Sequence, residues 1–171
     1  MKTFPTLTTE RLFLRQLAES DIQEIFLLRS DTLINKYLGR PPSKTPDDAL
    51  EFIKQIKNNS FSYWAITQKG NEKLVGTICL FEISDELKKC EIGYELLTEY
   101  QGKGIMTEAA KKVIEFANRT LGLTTIEAHT HQDNQSSASL LKALKFIRTA
   151  NFGNESSNLV VWRLNTSGSS K

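Results

Sequence analysis

A strand-like run, Glu91-Ile92-Gly93-Tyr94-Glu95-Leu96-Leu97, leads into Gln101-Gly102-Lys103-Gly104-Ile105-Met106 and then Thr107-Glu108-Ala109-Ala110. Two glycines let a backbone curl so that successive N–H groups point one way, and the start of the following helix adds unsatisfied amides and partial positive charge. The product is an anion site of pyrophosphate size. It is not a Rossmann fingerprint, because Thr107 stands where the third glycine belongs, and not a Walker A loop, because no Gly-Lys-Ser/Thr triplet occurs. Alone, the same residues also read as a Gly-rich turn that only starts a helix.

Other reactive side chains are sparse. The chain has two cysteines, Cys79 and Cys90, which a reducing compartment keeps from forming a structural disulfide. His129 and His131 fall on the same side of a predicted strand, but two ligands do not make a metal site, and no metal is expected.

The elements that must position these residues follow from periodicity. Ser20-Asp21-Ile22-Gln23 reads as a capping box ahead of Ile22, Ile25 and Phe26, which predicts a helix from about Asp21 to Arg29. Thr45-Pro46-Asp47-Asp48 caps a second helix that ends near Asn58. Period-two runs then predict antiparallel strands at Tyr63–Thr67, Lys73–Glu82 and Cys90–Leu97. A helix from Ile105 to Leu121 is closed by Gly122, and a strand follows over Thr125–His131. Asn134 caps a last helix, and strands at Phe146–Ala150 and Leu159–Leu164 complete a mixed α/β (α+β) order.

The composition is permissive rather than diagnostic. The 171 residues carry 22 basic and 20 acidic side chains, a net charge of +2 that excludes a dedicated nucleic-acid or membrane-surface binder. The length predicts one domain over residues 1–165 with a flexible tail at 166–171. No apolar run reaches the roughly 20 residues of a spanning helix, and Met1-Lys2-Thr3-Phe4-Pro5 lacks a secretory apolar stretch, so the cytoplasm is the expected location.

Three ordered blocks resemble the GNAT acetyltransferase superfamily. Its acetyl-CoA loop, Gln/Arg-x-x-Gly-x-Gly/Ala, is matched by Gln101 and Gly104, with Met106 departing at the sixth position. Asp133-Asn134-Gln135-Ser136-Ser137 and Leu144-Lys145-Phe146 resemble the family's Asn-x-x-Ser and Leu-Gly-Phe elements, with Lys145 in place of the glycine. Thr9-Glu10-Arg11-Leu12-Phe13-Leu14-Arg15, Asp21 and Met106-Thr107-Glu108-Ala109 look like the ribosomal-protein N-terminal acetyltransferase (RimJ/RimL-type) branch.

The resemblance implies a GNAT fold, a mostly antiparallel sheet with a splayed strand pair and about four flanking helices. It also implies transfer of acetyl from acetyl-CoA to a primary amine in a ternary complex, with a protein N-terminal α-amine leading. Acetylation of a small-molecule amine, or a non-catalytic acetyl-CoA sensor, are the alternatives. In this reading the coenzyme phosphates meet Gln101, Gly102, Lys103, Gly104, Ile105, Met106 and Thr107, and backbone amides up to Leu96 and Leu97 pair with the pantetheine arm. Asn134 and Ser137 add contacts from the next helix. Glu91 is the first candidate base and Glu127 the second. Ser137 is the donor to the departing sulfur, because Leu141 stands where many relatives have a tyrosine. Cys90 alternates to the strand face opposite Glu91, which disfavours an acetyl-cysteine intermediate. Acceptor choice is expected around Leu33–Leu38 and Tyr63-Trp64, and the oligomer is a monomer or homodimer.

Overall fold

The computed structural model describes residues 2–60, 62–149 and 158–166. In chain order the elements are β1 (Leu7–Thr8), β2 (Leu12–Gln16), α1 (Ile22–Ser30), α2 (Pro46–Asn59), β3 (Tyr63–Gln68), β4 (Asn71–Ser84) and β5 (Lys89–Leu96). They continue with α3 (Ile105–Arg119), β6 (Thr125–His131), α4 (Gln135–Ala143), β7 (Ile147–Arg148) and β8 (Leu159–Asn165). The strands form one eight-stranded sheet in the order β1-β2-β3-β4-β5-β6-β8-β7. Every neighbouring pair is antiparallel except β5 and β6, whose parallel pairing needs the long crossover that α3 supplies.

Strand alternation sorts the core into two layers. Trp64, Ile66, Val75, Ile78, Cys90 and Ile92 face α3 and α4, where Ala109, Ala110, Val113 and Leu141 meet them. Ala65 and Leu74 point the other way, onto Leu17, Ile25, Leu28, Ala49 and Ile53 of the α1–α2 layer. Trp64 is fully buried between Phe4 and Phe116, and its ring N–H reaches the Pro5 carbonyl at 2.7 Å. That indole therefore belongs to the core rather than to an acceptor surface.

The start of α1 differs from the expected capping box. A short 3-10 turn, Glu19–Asp21, opens it, and the Ser20 hydroxyl caps nothing. The buried Asp21 carboxylate does the work instead, accepting the Ala18 amide at 2.8 Å and two hydrogen bonds from Arg15 at 2.8 Å each. A bidentate charged pair outcompetes a neutral hydroxyl for the turn. Thr45 does cap α2, with Asp48 reaching back to the Thr45 amide.

Lys145 has φ of 70°, the left-handed conformation expected where relatives carry glycine. At the far end, Thr166 is tied down: its amide donates to Thr124 and its hydroxyl to Leu123. Residues 167–171 of the expected tail, and Ala150 of the strand read at Phe146–Ala150, lie outside the described residues. No helix among the described residues is long and apolar enough to cross a membrane.

Candidate active site

The Gly-rich segment forms a turn with two left-handed residues, Gly102 (φ 74°) and Gly104 (φ 75°), and Gly104 is the N-cap of α3. The first intrahelical bond is Glu108 N–H to the Gly104 carbonyl, so the amides of the preceding turn are free for an outside acceptor. A Cβ at Gly102 would meet no atom within 4 Å, which leaves that face open to a ligand. Met106, at the position where the motif departs, is 8% exposed and turns its side chain into the core. The turn is fixed from two sides. Gln101 Nε2 donates to the Leu96 carbonyl at 3.0 Å, and Arg11 Nη1 donates to the Lys103 carbonyl at 3.1 Å. Arg11 is in turn held by Glu108, which also accepts from Thr9. The opening Thr-Glu-Arg block is thus the brace of the loop.

Downstream of this turn the sheet parts. β5 and β6 pair only at Lys89–Thr125, Cys90–Ile126 and Glu91–Glu127, and beyond Glu91 they diverge. A cavity of about 740 Å³ opens there, bounded by Gly93–Leu96 on one side and Ala128–His131 on the other. Leu96, Gln101, Gly102, Gly104, Ile105, Met106, Thr107, Asn134 and Ser137 all line it. Leu97 and Lys103 do not: Leu97 is buried with its amide committed to the Val75 carbonyl, and Lys103 reaches over the Tyr100 ring. Left-handed glycines, a helix N-terminus and an unpaired strand edge leading inward suit a long thioester carrier with a pyrophosphate, such as acetyl-CoA.

At the inner end, Asn134 caps α4 by accepting the Ser137 amide at 3.1 Å. The Ser137 hydroxyl and the Tyr94 phenol share a short hydrogen bond in which either can donate. Burial pushes the Tyr94 phenol up to about 12, against the opposing pull of Ser137, so both groups stay protonated at neutral pH. Sequence reasoning used Tyr94 only for its backbone. Its alternation with Cys90, Ile92 and Leu96, toward the α3–α4 layer, was the available signal. Position 141 carries no phenol, and the Tyr94 phenol reaches Ser137 from β5.

On the opposite face lie the carboxylates. Glu91 is not in the cavity wall; its Oε1 is 3.7 Å from Nε2 of His129, which is in the wall. Glu127 Oε2 is 3.6 Å from the same nitrogen. Burial pushes the Glu127 carboxyl up, but the Arg163 hydrogen bond, the Lys89 and Arg163 charges and His129 outweigh it and hold it low. So firmly paired a carboxylate is a poor proton acceptor. Among the described residues no group of three or more His, Cys, Asp and Glu is arranged to hold a metal ion.

The α1–α2 connection covers the outer end. Asp31 and Asn35 shape the turn, and Leu33, Ile34, Tyr37 and Leu38 line the cavity. Arg40 donates to Asn35 and pairs with Glu95, which pins the connection to β5. Tyr63 packs on Phe52, outside the cavity.

A family model described as an acetyltransferase (GNAT) domain matches residues 11–147. The chain belongs to the GNAT acetyltransferases. This GNAT enzyme is an acetyl-CoA-dependent N-acetyltransferase. It is 30% identical over 147 residues to the uncharacterized N-acetyltransferase YoaA of Bacillus subtilis, covering 84% of this chain and 83% of that protein. It is 24% identical over 152 residues to the [ribosomal protein uS5]-alanine N-acetyltransferase of Escherichia coli, covering 82% and 77%. Among solved structures, a GNAT-family acetyltransferase from Bacillus anthracis superposes with a TM-score of 0.83 at 20% identity, over 95% of this chain and 99% of that one. At that identity the likeness speaks for the fold alone.

Proposed function

We propose that this GNAT acetyltransferase moves the acetyl group of acetyl-CoA to a primary amine by direct attack in a ternary complex, with the N-terminal α-amine of a protein, of ribosomal-protein type, as acceptor. The observation that carries the reading is the gap between β5 and β6, reached from one side by the braced anion loop and from the other by the Leu33–Leu38 turn. A carrier and an acceptor can meet there from opposite faces of the sheet. The E. coli relative, whose name gives an alanine of ribosomal protein uS5 as its target, supports a protein acceptor.

Acetyl-CoA supplies an activated acyl group as its thioester. The amides of the Gly102–Thr107 turn hold the pyrophosphate, with Lys103 as an outlying charge. Unpaired amides of β5 polarise the acyl carbonyl, and Asn134 fixes the turn that presents Ser137. Ser137, coupled to Tyr94, donates a proton to the leaving sulfur. Glu91, behind the cavity wall, supplies negative charge that favours loss of a proton from the acceptor nitrogen. An α-amine, with pKa about 8, needs far less such help than a lysine near 10.4. The reading takes residues 1–165 as the catalytic domain, acting as monomer or homodimer in the cytoplasm without metal, nucleic acid or membrane.

Acetylation of a small-molecule amine is the second reading, favoured by the apolar Leu33, Ile34 and Leu38 over the cavity. Mass spectrometry of protein N-termini, with and without the gene, separates the two. A protein acceptor shows as at least one N-terminus that loses its acetyl group when the gene is deleted. An unchanged profile, with turnover of small amines in vitro, selects the second.

A further inference from the structure

We infer that His129 is the group that takes the acceptor's proton, and that Glu91 acts through it as a positioning residue. The inference rests on the acetyl-transfer reading and names a residue that reading did not contain. Glu91 lies at the last paired position before β5 and β6 part, outside the cavity wall, so its carboxylate does not meet an acceptor in the gap. His129, two residues further along β6 and on the same face as Glu127, does line the gap and is 36% exposed at its side chain. Its Nε2 is directed at two carboxylates, 3.7 Å from Glu91 and 3.6 Å from Glu127. Its Nδ1 has no hydrogen-bond partner among the described residues.

In that arrangement Nε2 faces the carboxylates, and the unpartnered Nδ1 is the ring nitrogen left to accept a proton. One proton of the acceptor ammonium passes to Nδ1, leaving the nitrogen lone pair free to attack the acyl carbon. The imidazolium so formed is stabilised by Glu91 and Glu127 and later releases its proton to water. After the C–N bond forms and the C–S bond breaks, the sulfur receives a proton from the Ser137–Tyr94 pair, and the nitrogen's second proton passes through water to restore that pair. Overall, an ammonium and a thioester become an amide, a thiol and one released proton. The other charges around the ring are Lys89 from β5 and Arg163 from β8, both engaged with Glu127, so Glu91 is the carboxylate left to serve His129 alone. His131, the next residue on this face, packs against Tyr37.

The test is the pH dependence of transfer to a peptide amine by wild type, His129→Gln, Glu91→Gln and the double variant. At pH 7 only about a tenth of an α-amine with pKa about 8 is neutral. His129→Gln should therefore lose about tenfold or more in kcat at pH 7, with the deficit closing toward pH 9 and acetyl-CoA affinity unchanged. Glu91→Gln should lower kcat at pH 7 by less, and should cost nothing further in the His129→Gln background, because it acts through the ring. A His129→Gln profile that superimposes on wild type overturns the assignment, and so does a Glu91→Gln loss that persists undiminished in the His129→Gln background. A wild-type protein that releases no coenzyme A with any amine overturns the acetyl-transfer reading, whereas wild-type turnover with an unchanged His129→Gln profile overturns only the assignment of the proton acceptor.

Discussion

Replacing Glu108 by alanine cuts the brace between the opening strands and the coenzyme loop. The carboxylate accepts from the Thr9 hydroxyl at 2.5 Å, the Arg11 amide at 2.8 Å and Arg11 Nε at 2.6 Å. The Arg11 side chain is 49% exposed and regains water when released, so its share is roughly 0–1 kcal/mol. The two remaining charge-assisted bonds bring the loss to about 2–3 kcal/mol. For a domain of this size that lowers Tm by about 4–12 °C. Arg11 also holds the Lys103 carbonyl, and its release frees about two residues of the loop, whose reordering on binding costs roughly 2 kcal/mol. Acetyl-CoA should bind about 30-fold more weakly, as read by titration calorimetry. The pH dependence is a second check. Burial pushes the Glu108 carboxyl up, but hydrogen bonds from Thr9 and Arg11 outweigh it and hold the group below its ordinary 4.5. Because the folded value is the depressed one, wild type's advantage over Glu108→Gln is fully present above about pH 4.5 and fades as pH falls through the lower folded value. An alanine variant with unchanged Tm and unchanged coenzyme affinity would refute the idea that this brace shapes the loop.

Ser137→Ala and Tyr94→Phe should each lower kcat by about 10²-fold with coenzyme affinity retained, and the double variant should be little worse than the poorer single one, since the hydroxyls act as a unit. Additive losses in steady-state kinetics would contradict the shared role. Lys145→Gly should stabilise the fold by about 1 kcal/mol, raising Tm by roughly 2–4 °C, because it relieves the strain of a left-handed lysine; an unchanged or lowered Tm counts against that strain. Cys79 and Cys90, both pushed up to about 12 by burial, should resist iodoacetamide at pH 8 in the native protein, and rapid labelling of either would reopen an acetyl-cysteine route.

The turn of the loop was legible because two glycines ahead of a helix carry their own conformational demand, which the φ values at Gly102 and Gly104 meet. The strand predicted over Thr125–His131 has those bounds in the structure, since alternation and flanking turns define it locally. The left-handed Lys145 stands where the resemblance to the Leu-Gly-Phe element places a glycine. The Tyr94–Ser137 bond was not, because it depends on how closely α4 approaches β5 across 43 positions of sequence. Glu91 was read as facing the acceptor, yet its distance from the gap is set by where the parallel pairing of β5 and β6 stops, a register that no local pattern encodes. His129 passed as a weak metal candidate for the same reason: one of its two carboxylate partners, Glu91, comes from a strand that α3 separates from it in sequence. Asp21 displaced Ser20 at the start of α1 because Arg15, on another element, reaches it.

The most direct measurement of the central claim is stoichiometric. Purified protein is incubated with acetyl-CoA and a panel of peptides with free N-termini, and thiol release is compared with acetylated peptide by mass spectrometry. Transfer through the gap between β5 and β6 predicts one coenzyme A released per peptide acetylated on its α-nitrogen, with the signal lost when the acceptor amine is blocked. Coenzyme A release at the hydrolysis background with every amine offered, α-amine or small molecule, would contradict it.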